Sequence, residues 1–454
     1  MKGLQRVQVF SIATPPPDTP KDKRRYRVKW RVNGRDKTRA FKTRAQADRL
    51  RSRLQVAATD GEGFDLATGL PVSWLDAPAP TWWSWSQEWL MLKWPQWSGH
   101  SRRSVVESLV TITPLMVRPG APSPGQELAG WLRQCGYRPG PAGRTDVPAW
   151  LRTWSVPLPD IDVQLLEQVL HRVTTKADGH PMSAEVARRR RNTLGAVLRS
   201  AVRRGLLATN PMERIEWRTP SRSITVDIGT VPSPRDVEDI VEHVASLRTS
   251  GARFAALFAT VGVAGMRPSE AMGLRSQDLR LPRHGWGMAP LRGAVTSPGV
   301  RYTAEGTVVE AKGLKQRPID SVRDVPLAPH LVDRLRWHLD RWEPVDGRVF
   351  SNAAGRPMTT TNYGPVWVRA RSRLWPADHP LAATTVYDLR HSAATMMLRA
   401  AVPAAEVARR LGHSVDVLLR VYAGVFDDER ERSNELIEEA LAGLGSSGDS
   451  DRTL

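Results

Sequence analysis

The chain is 454 residues long, 41% hydrophobic, and carries a formal charge of +19 with a pI near 10.8. That length has room for two to four domains with real cores, and the charge calls for a polyanionic partner, nucleic acid or an anionic membrane surface. The absence of any apolar run of about 18 residues speaks against a spanning helix, and the lone Cys135 excludes an intramolecular disulfide and any CxxC metal site. The first residues, "MKGLQRVQVFSIATPPPDTP", lack the apolar core of a signal peptide. The expectation is a cytoplasmic, nucleoid-associated protein without a membrane partner, its seventeen tryptophans serving as core residues.

Residues 1–20 end in "TPPPDTP" and read as a flexible lead. In 21–60, Tyr26, Val28, Trp30 and Val32 alternate with Arg27, Lys29 and Arg31, the period of a strand with one basic face. Asn33-Gly34 is a hairpin turn signal. The next strand carries Arg39 and Phe41, and Thr43 is placed to cap a helix from Arg44 to about Ala57. From Lys21 to Arg53 there are fifteen Lys/Arg against three Asp. A basic helix face alone is commonly just solvated, but a basic β-ribbon suits a DNA groove, so Arg27, Lys29, Arg31 and Arg39 are candidate DNA contacts. Residues 61–80 read as a linker.

Residues 81–217 read as an all-α module. Trp85, Trp89 and Leu92 recur at helical spacing, and 118–159 reads as a Gly/Pro-rich insertion around one short helix. From Ser183, an apolar stripe of Val186, Leu194, Val197, Leu198, Ala201 and Val202 predicts a helix stopped by Gly205. Its remainder is basic: Arg188, Arg189, Arg190, Arg191, Arg199, Arg203 and Arg204. These arginines are either a solvated face or phosphate contacts. A linker, 218–232, follows.

The third unit, 233–445, reads as mixed α and β, with a tail at 446–454. Helices are expected at Arg235–Thr249, through "GARFAALFATVGVAGM", and from Pro268. A Gly/Pro-rich stretch, 281–306, precedes two short strands in "TVVEAKGLKQRPIDSVRDVPL" joined by a basic loop. Helices follow at Pro329–Trp342, Thr360–Leu374, "YDLRHSAATMMLRAA", "PAAEVARRLG" and "SNELIEEALAGL". The fold class is therefore mainly α and multidomain, with a small sheet-plus-helix unit at the N-terminus.

In "RRLGHSVDVLLRVYAGVF" a tyrosine stands nine residues after a histidine. For a tyrosine hydroxyl to attack a phosphodiester, cations must hold the non-bridging oxygens and a donor must protonate the leaving oxygen. Arginine's planar fork suits two phosphate oxygens. The chain offers Arg267 at a helix start, Lys315 with Lys312 close by, Arg390 before His391, then His413 and Tyr422. Taken singly these read as a surface arginine, a capping histidine and a packed tyrosine. Their order and spacing are the signal.

That order resembles the catalytic domain of the tyrosine recombinase, or phage-type integrase, family over roughly 235–440. "GVAGMRPSEAMGLRSQDL" is similar to the family's first-arginine box, T-G-x-R-x-x-E-x-x-x-L, with Glu270 and Leu274 in place and Val263-Ala264 where threonine is usual. "DLRHSAATMM" is similar to the second box, and "LGHS" with Tyr422 to the third. The upstream modules resemble the core-binding and arm-binding domains of integrases from actinobacterial mobile elements. The resemblance implies Arg267 and Arg390 as phosphate clamp, Lys315 as general acid (Lys312 as its alternative), His413 as phosphate or proton partner, and Tyr422 as nucleophile. It implies neither metal nor ATP. It also implies double-stranded attachment-site DNA, a homotetramer on that DNA, and an excisionase and a DNA-bending host protein as accessory partners.

The second box departs from H-x-x-R, with Tyr387 in the histidine's place. A neutral tyrosine can donate to a phosphate oxygen but is a poor proton shuttle at neutral pH. Either Tyr387 binds, or His391 or another group takes over, or activity is reduced. A DNA-binding or architectural protein with a degenerate site is the competing expectation, and a strand-passing topoisomerase a third.

Overall fold

The computed structural model describes residues 6–16, 18–20, 24–76, 79–139, 146–176, 178–217, 225–247, 251–314, 318, 321–427, 434, 435, 437–439 and 441. Lys315, half of "SNELIEEALAGL" and the 446–454 tail lie outside the described residues. The chain is mainly helical with small sheets and divides into two compact units, Met1–Trp97 with Ser101–Ser221, and Ser98–His100 with Arg222–Leu454.

The first unit opens with an antiparallel sheet of β1 (Val7–Val9), β2 (Tyr26–Val32) and β3 (Arg35–Phe41). Its hairpin pairs Tyr26 with Phe41 and Val32 with Arg35, and Asn33 and Gly34 both take positive φ at the turn. Thr43 Oγ1 accepts the Gln46 N–H and starts the helix Arg44–Thr59. That helix seats Ala47, Leu54 and Ala57 on Val28, Trp30 and Val32. Two expectations change here. Part of the 1–20 lead forms β1, because Val7 and Val9 extend the sheet's apolar side. The 61–80 linker is folded in its described part: Phe64 is buried in this core, and the Trp30 indole N–H donates to the Gly69 carbonyl. One helix cannot cover a three-stranded sheet, so the following residues complete the core.

Downstream, Thr81 caps the helix Trp82–Lys93 in a capping box with Ser84. Trp85 and Trp89 are buried as the spacing predicts, and the Trp85 indole donates to Val197 O at 3.0 Å, tying this helix to Ala184–Arg203. Leu92 is exposed instead, because the buried face runs through Trp82, Trp85, Ser86, Trp89 and Leu90. Among its described residues the 118–159 insertion holds the short helix Glu127–Trp131, which runs on into a wider helical turn at Leu132–Gly136, and the helix Ala149–Trp154. It is anchored by buried Tyr137, whose hydroxyl lies 2.8 Å from Ser86 Oγ.

The second unit is built around the helix Ala255–Ala264, apolar on nearly all sides and buried accordingly. Packed on it are Pro234–Ser246, Pro329–Arg341 and Asp388–Arg399. The helix Thr360–Leu374 has the predicted bounds. The two strands expected in 307–327 do not pair with each other. β6 (Glu310–Lys312) pairs with β5 (Ala294–Thr296), and β7 (Arg323–Leu327) pairs with β4 (Gly287–Leu291). Both partners come from the Gly/Pro-rich stretch 281–306, where Pro290 and Gly293 mask the strand signal. The described part of the 218–232 linker is also tied down: the Val226 N–H donates to Val421 O at 2.8 Å, and Ile228 packs beside Tyr422's cluster. Among the described residues no helix is long and apolar enough to cross a membrane.

Candidate active site

The helix Ala404–Leu411 ends at Gly412, whose φ of 68° is left-handed. Ser414 then caps Val415–Val421 by accepting the Val417 N–H, and Tyr422 is the C-cap of that helix. His413 is thus held in the three-residue corner Gly412–Ser414 between helices. Gly265, φ 67°, closes the central helix in the same way, and Arg267 follows at the head of the short helix Pro268–Ala271.

A buried carboxylate organises the cations. Arg267 donates to Glu270 through its backbone N–H (2.8 Å) and its Nη1 (2.7 Å). Arg323 Nη2 donates at 2.7 Å to Glu270 Oε2, the oxygen that also accepts the Arg267 backbone N–H, and Arg390 Nη1 stands 3.8 Å from it. Burial pushes the Glu270 carboxyl up, but Arg323, Arg267 and Arg390 outweigh it and hold it below the usual range. Arg390 is 1% exposed. It donates to Gly265 O and Leu411 O, both at 2.6 Å, and these are C-terminal carbonyls of two helices, where cations are favoured. Burial, then its neighbour Arg267, lowers the Arg390 pKa to about 10, so it stays charged at neutral pH.

Arg390 Nη2 lies 2.8 Å from His413 Nε2. A guanidinium only donates, so Nε2 accepts and the imidazole is neutral. Burial first, then Arg390, Arg267 and Arg323, pull the His413 pKa down to about 3. Its Nδ1 is buried with no hydrogen-bond partner among the described residues. Tyr422 is 1% exposed, in a cluster with Ala394, Met397, Val407, Leu418 and Val425, and its hydroxyl lies 2.8 Å from His391 Nδ1. Burial raises the Tyr422 pKa above that of a free phenol. The tyrosine is at once a packed aromatic and a hydroxyl beside a cationic cluster.

Of the residues singled out in the sequence, Arg267, Arg390 and His413 converge, with Tyr422 joined to the same helix as Arg390 through His391. Tyr387 is 43% exposed and meets the His391 ring edge-on at 5.5 Å. With Arg267, Ser269, Ser297 and Thr385 it lines a cleft of about 520 Å³. Lys312 sits half-buried on β6, opposite Ala294. The reading of the sequence missed Arg323 as a site residue; a lone arginine opening the apolar strand "RDVPL" was the signal. Among the described residues no group of three His, Cys, Asp or Glu converges to hold a metal.

The other basic candidates differ in their surroundings. Arg27, Lys29, Arg31 and Arg39 are exposed on the sheet, but Asp36 pairs with both Lys29 (2.8 Å) and Arg31 (2.5 Å). Arg188, Arg203 and Arg204 are exposed, and Arg204 pairs with Glu88 at 3.2 Å. Arg189 pairs with Glu185 at 3.7 Å. Arg190 donates to Val173 O at 2.6 Å, capping the end of another helix, and Arg191 lies over the Trp217 ring.

Residues 233–429 match the phage integrase family. The chain is 28% identical over 180 residues to a tyrosine recombinase XerC of Bradyrhizobium diazoefficiens, and 28% identical over 179 residues to one of Nitrobacter winogradskyi. Each match covers 39% of this chain and 47% of the relative, so the chain spans about half the length of these relatives. Among solved structures, the Tn1549 transposon integrase in complex with a circular intermediate DNA has a TM-score of 0.47 at 17% identity, covering 62% of this chain and 88% of that one. A lambda integrase dimer bound to a COC' core site gives 0.46 at 12%, covering 89% and 91%. Residues 233–429, which carry Arg267, Arg323, Arg390, His413 and Tyr422, are thus similar to the phage integrase family, the tyrosine recombinases among them.

Proposed function

We propose that this protein is a site-specific DNA recombinase, an integrase that joins or excises a mobile element through a 3′-phosphotyrosine intermediate. The observation that carries the reading is the Tyr422 hydroxyl, 2.8 Å from His391 on the helix that carries Arg390, beside a cluster of Arg267, Arg323 and Arg390 gathered by Glu270. Arg267 and Arg390 are the cations for the non-bridging oxygens. The His413 Nδ1 carries a proton with no acceptor among the described residues, suited to a phosphate oxygen. Tyr387 lines the adjoining cleft as a donor to the DNA backbone. Lys315, or Lys312, protonates the departing 5′-oxygen. Tyr422 then holds the 3′-phosphate until a 5′-hydroxyl of the partner duplex attacks it, and the bond energy is conserved.

Three modules divide the binding: 21–60 on flanking arm sites through Arg27, Lys29, Arg31 and Arg39, 81–217 on the core site through Arg188–Arg191, Arg203 and Arg204, and 233–445 on the scissile phosphate. Four protomers assemble on two attachment sites, with an excisionase and a DNA-bending host protein setting direction, in the cytoplasm at the nucleoid. The test is a nicked suicide duplex carrying the junction sequence that flanks the gene. The wild type should give a covalent adduct on a denaturing gel, and Tyr422→Phe should bind the duplex but give none. An adduct from Tyr422→Phe that disappears in Tyr387→Phe would move the nucleophile. Binding without any adduct from the wild type would leave a DNA-binding protein with a degenerate site.

A further inference from the structure

A buried phenol whose pKa is pushed above its ordinary value does not ionise near neutrality. Attack by Tyr422 on phosphorus therefore needs a group that takes its proton as the bond forms. The geometry points to His391 as that general base: its Nδ1 is 2.8 Å from the Tyr422 hydroxyl, the two rings are 5.7 Å apart, and it lies one helical turn beyond Tyr387, where the expected histidine is missing. This rests on the recombinase reading and names a residue that reading does not use.

The other groups near the hydroxyl are unsuited. His413 Nε2 is occupied by Arg390. Asp388 is committed to Thr385, accepting its N–H at 2.7 Å and its hydroxyl at 2.8 Å. Tyr387 is itself a phenol and turns its ring toward His391. His391 faces Asp388 and Arg390 on its own helix, Tyr387 before it, His413 in the corner and Tyr422 beyond. Burial is the largest influence and keeps the imidazole neutral at pH 7, with Asp388 pulling its pKa up and Arg390 pulling it down. A neutral ring with its proton on Nε2 presents the Nδ1 lone pair to the hydroxyl.

The step balances. The Tyr422 oxygen bonds to phosphorus while its proton passes to Nδ1. The bond from phosphorus to the 5′-oxygen breaks, and that oxygen leaves with the electron pair and is protonated by a lysine ammonium or water. On rejoining, the 5′-oxygen bonds to phosphorus as its proton passes back to the lysine or to water, and the imidazolium returns its proton to the departing tyrosine oxygen.

The test measures single-turnover adduct formation by the full chain on the nicked duplex from pH 5 to 9. His391→Ala should slow cleavage about 10²-fold or more, lose the fall in rate that protonation of the imidazole gives the wild type below pH 6.5, and recover partly with free imidazole. His391→Gln keeps a polar side chain that cannot accept a proton, and should be as slow while binding DNA and melting like the wild type. A Gln variant at the wild-type rate, or an Ala variant that imidazole does not rescue although it folds and binds, overturns the assignment. With no adduct from the wild type, the recombinase reading falls and this one with it. With an adduct and an undiminished Gln variant, this one falls alone.

Discussion

Arg323 Nη2 donates to Glu270 Oε2 at 2.7 Å, and the two side chains are 3% and 2% exposed. Removing one partner of a buried ion pair strands the other charge, at about 3–5 kcal/mol. Here three arginines would be left without their anion. Glu270→Gln should therefore lower stability by about 3–5 kcal/mol in chemical denaturation, and should reduce adduct formation because Arg267 loses its anchor.

Acid should unfold the protein in two stages. His338, His391 and His413 are all held neutral below the ordinary pKa of 6.5, with burial the first cause for each. A base with a depressed folded pKa stabilises the fold above 6.5 and loses that contribution as pH falls toward its folded value. For His338, with a folded pKa of about 4, the loss runs between those limits and amounts to roughly 3 kcal/mol. Glu270, depressed below its ordinary 4.5, adds its own loss below that pH. Melting temperature against pH should fall from 6.5 downward, and the Glu270→Gln curve should converge on the wild type only below about pH 4.5.

Gly412→Ala should cost about 2 kcal/mol or more. Its left-handed φ alone costs an L-residue roughly 1–2 kcal/mol, and a Cβ there would run into Arg323 Nη1. Because His413 follows directly, strand cleavage should fall more than binding does. Urea melts beside a gel-shift titration separate the two.

Tyr387→His should retain or raise strand cleavage, since a second imidazole would enter the cleft beside Arg267. At 43% exposure the change should leave melting nearly unaltered. A large loss in the suicide-substrate assay would mean that the cleft is adapted to a phenol.

Asp36→Ala should tighten DNA binding by the N-terminal sheet. Asp36 holds Lys29 and Arg31, which hold its own pKa well below the usual range. Freeing both cations should steepen the slope of log affinity against log salt by about one to two. Arg31→Ala should change it in the opposite sense.

Much of this molecule is written locally. The Asn33-Gly34 hairpin, the Thr43 cap, the bounds of Thr360–Leu374, and the Leu-Gly-His-Ser corner all follow from turn chemistry and periodicity within a few residues. The partners of β6 and β7 were hidden because pairing energy comes from a distant strand, and Pro290 and Gly293 carry no alternation. Phe64 and Val226 looked like linker residues because exposed and buried apolar side chains are identical in a sequence until a core is there to receive them.

The sequence by itself determined the chemistry on offer: two arginines, a histidine and a tyrosine at spacings that one family shares, a basic ribbon, and a tyrosine where a histidine was expected. Only the tertiary structure decided how these groups act on one another. Glu270 lies 53 positions from Arg323, and His391 lies 31 from Tyr422. Spacing along the chain sets which residues share a helix face. Distance, burial and the direction of each proton arise only when separate helices meet.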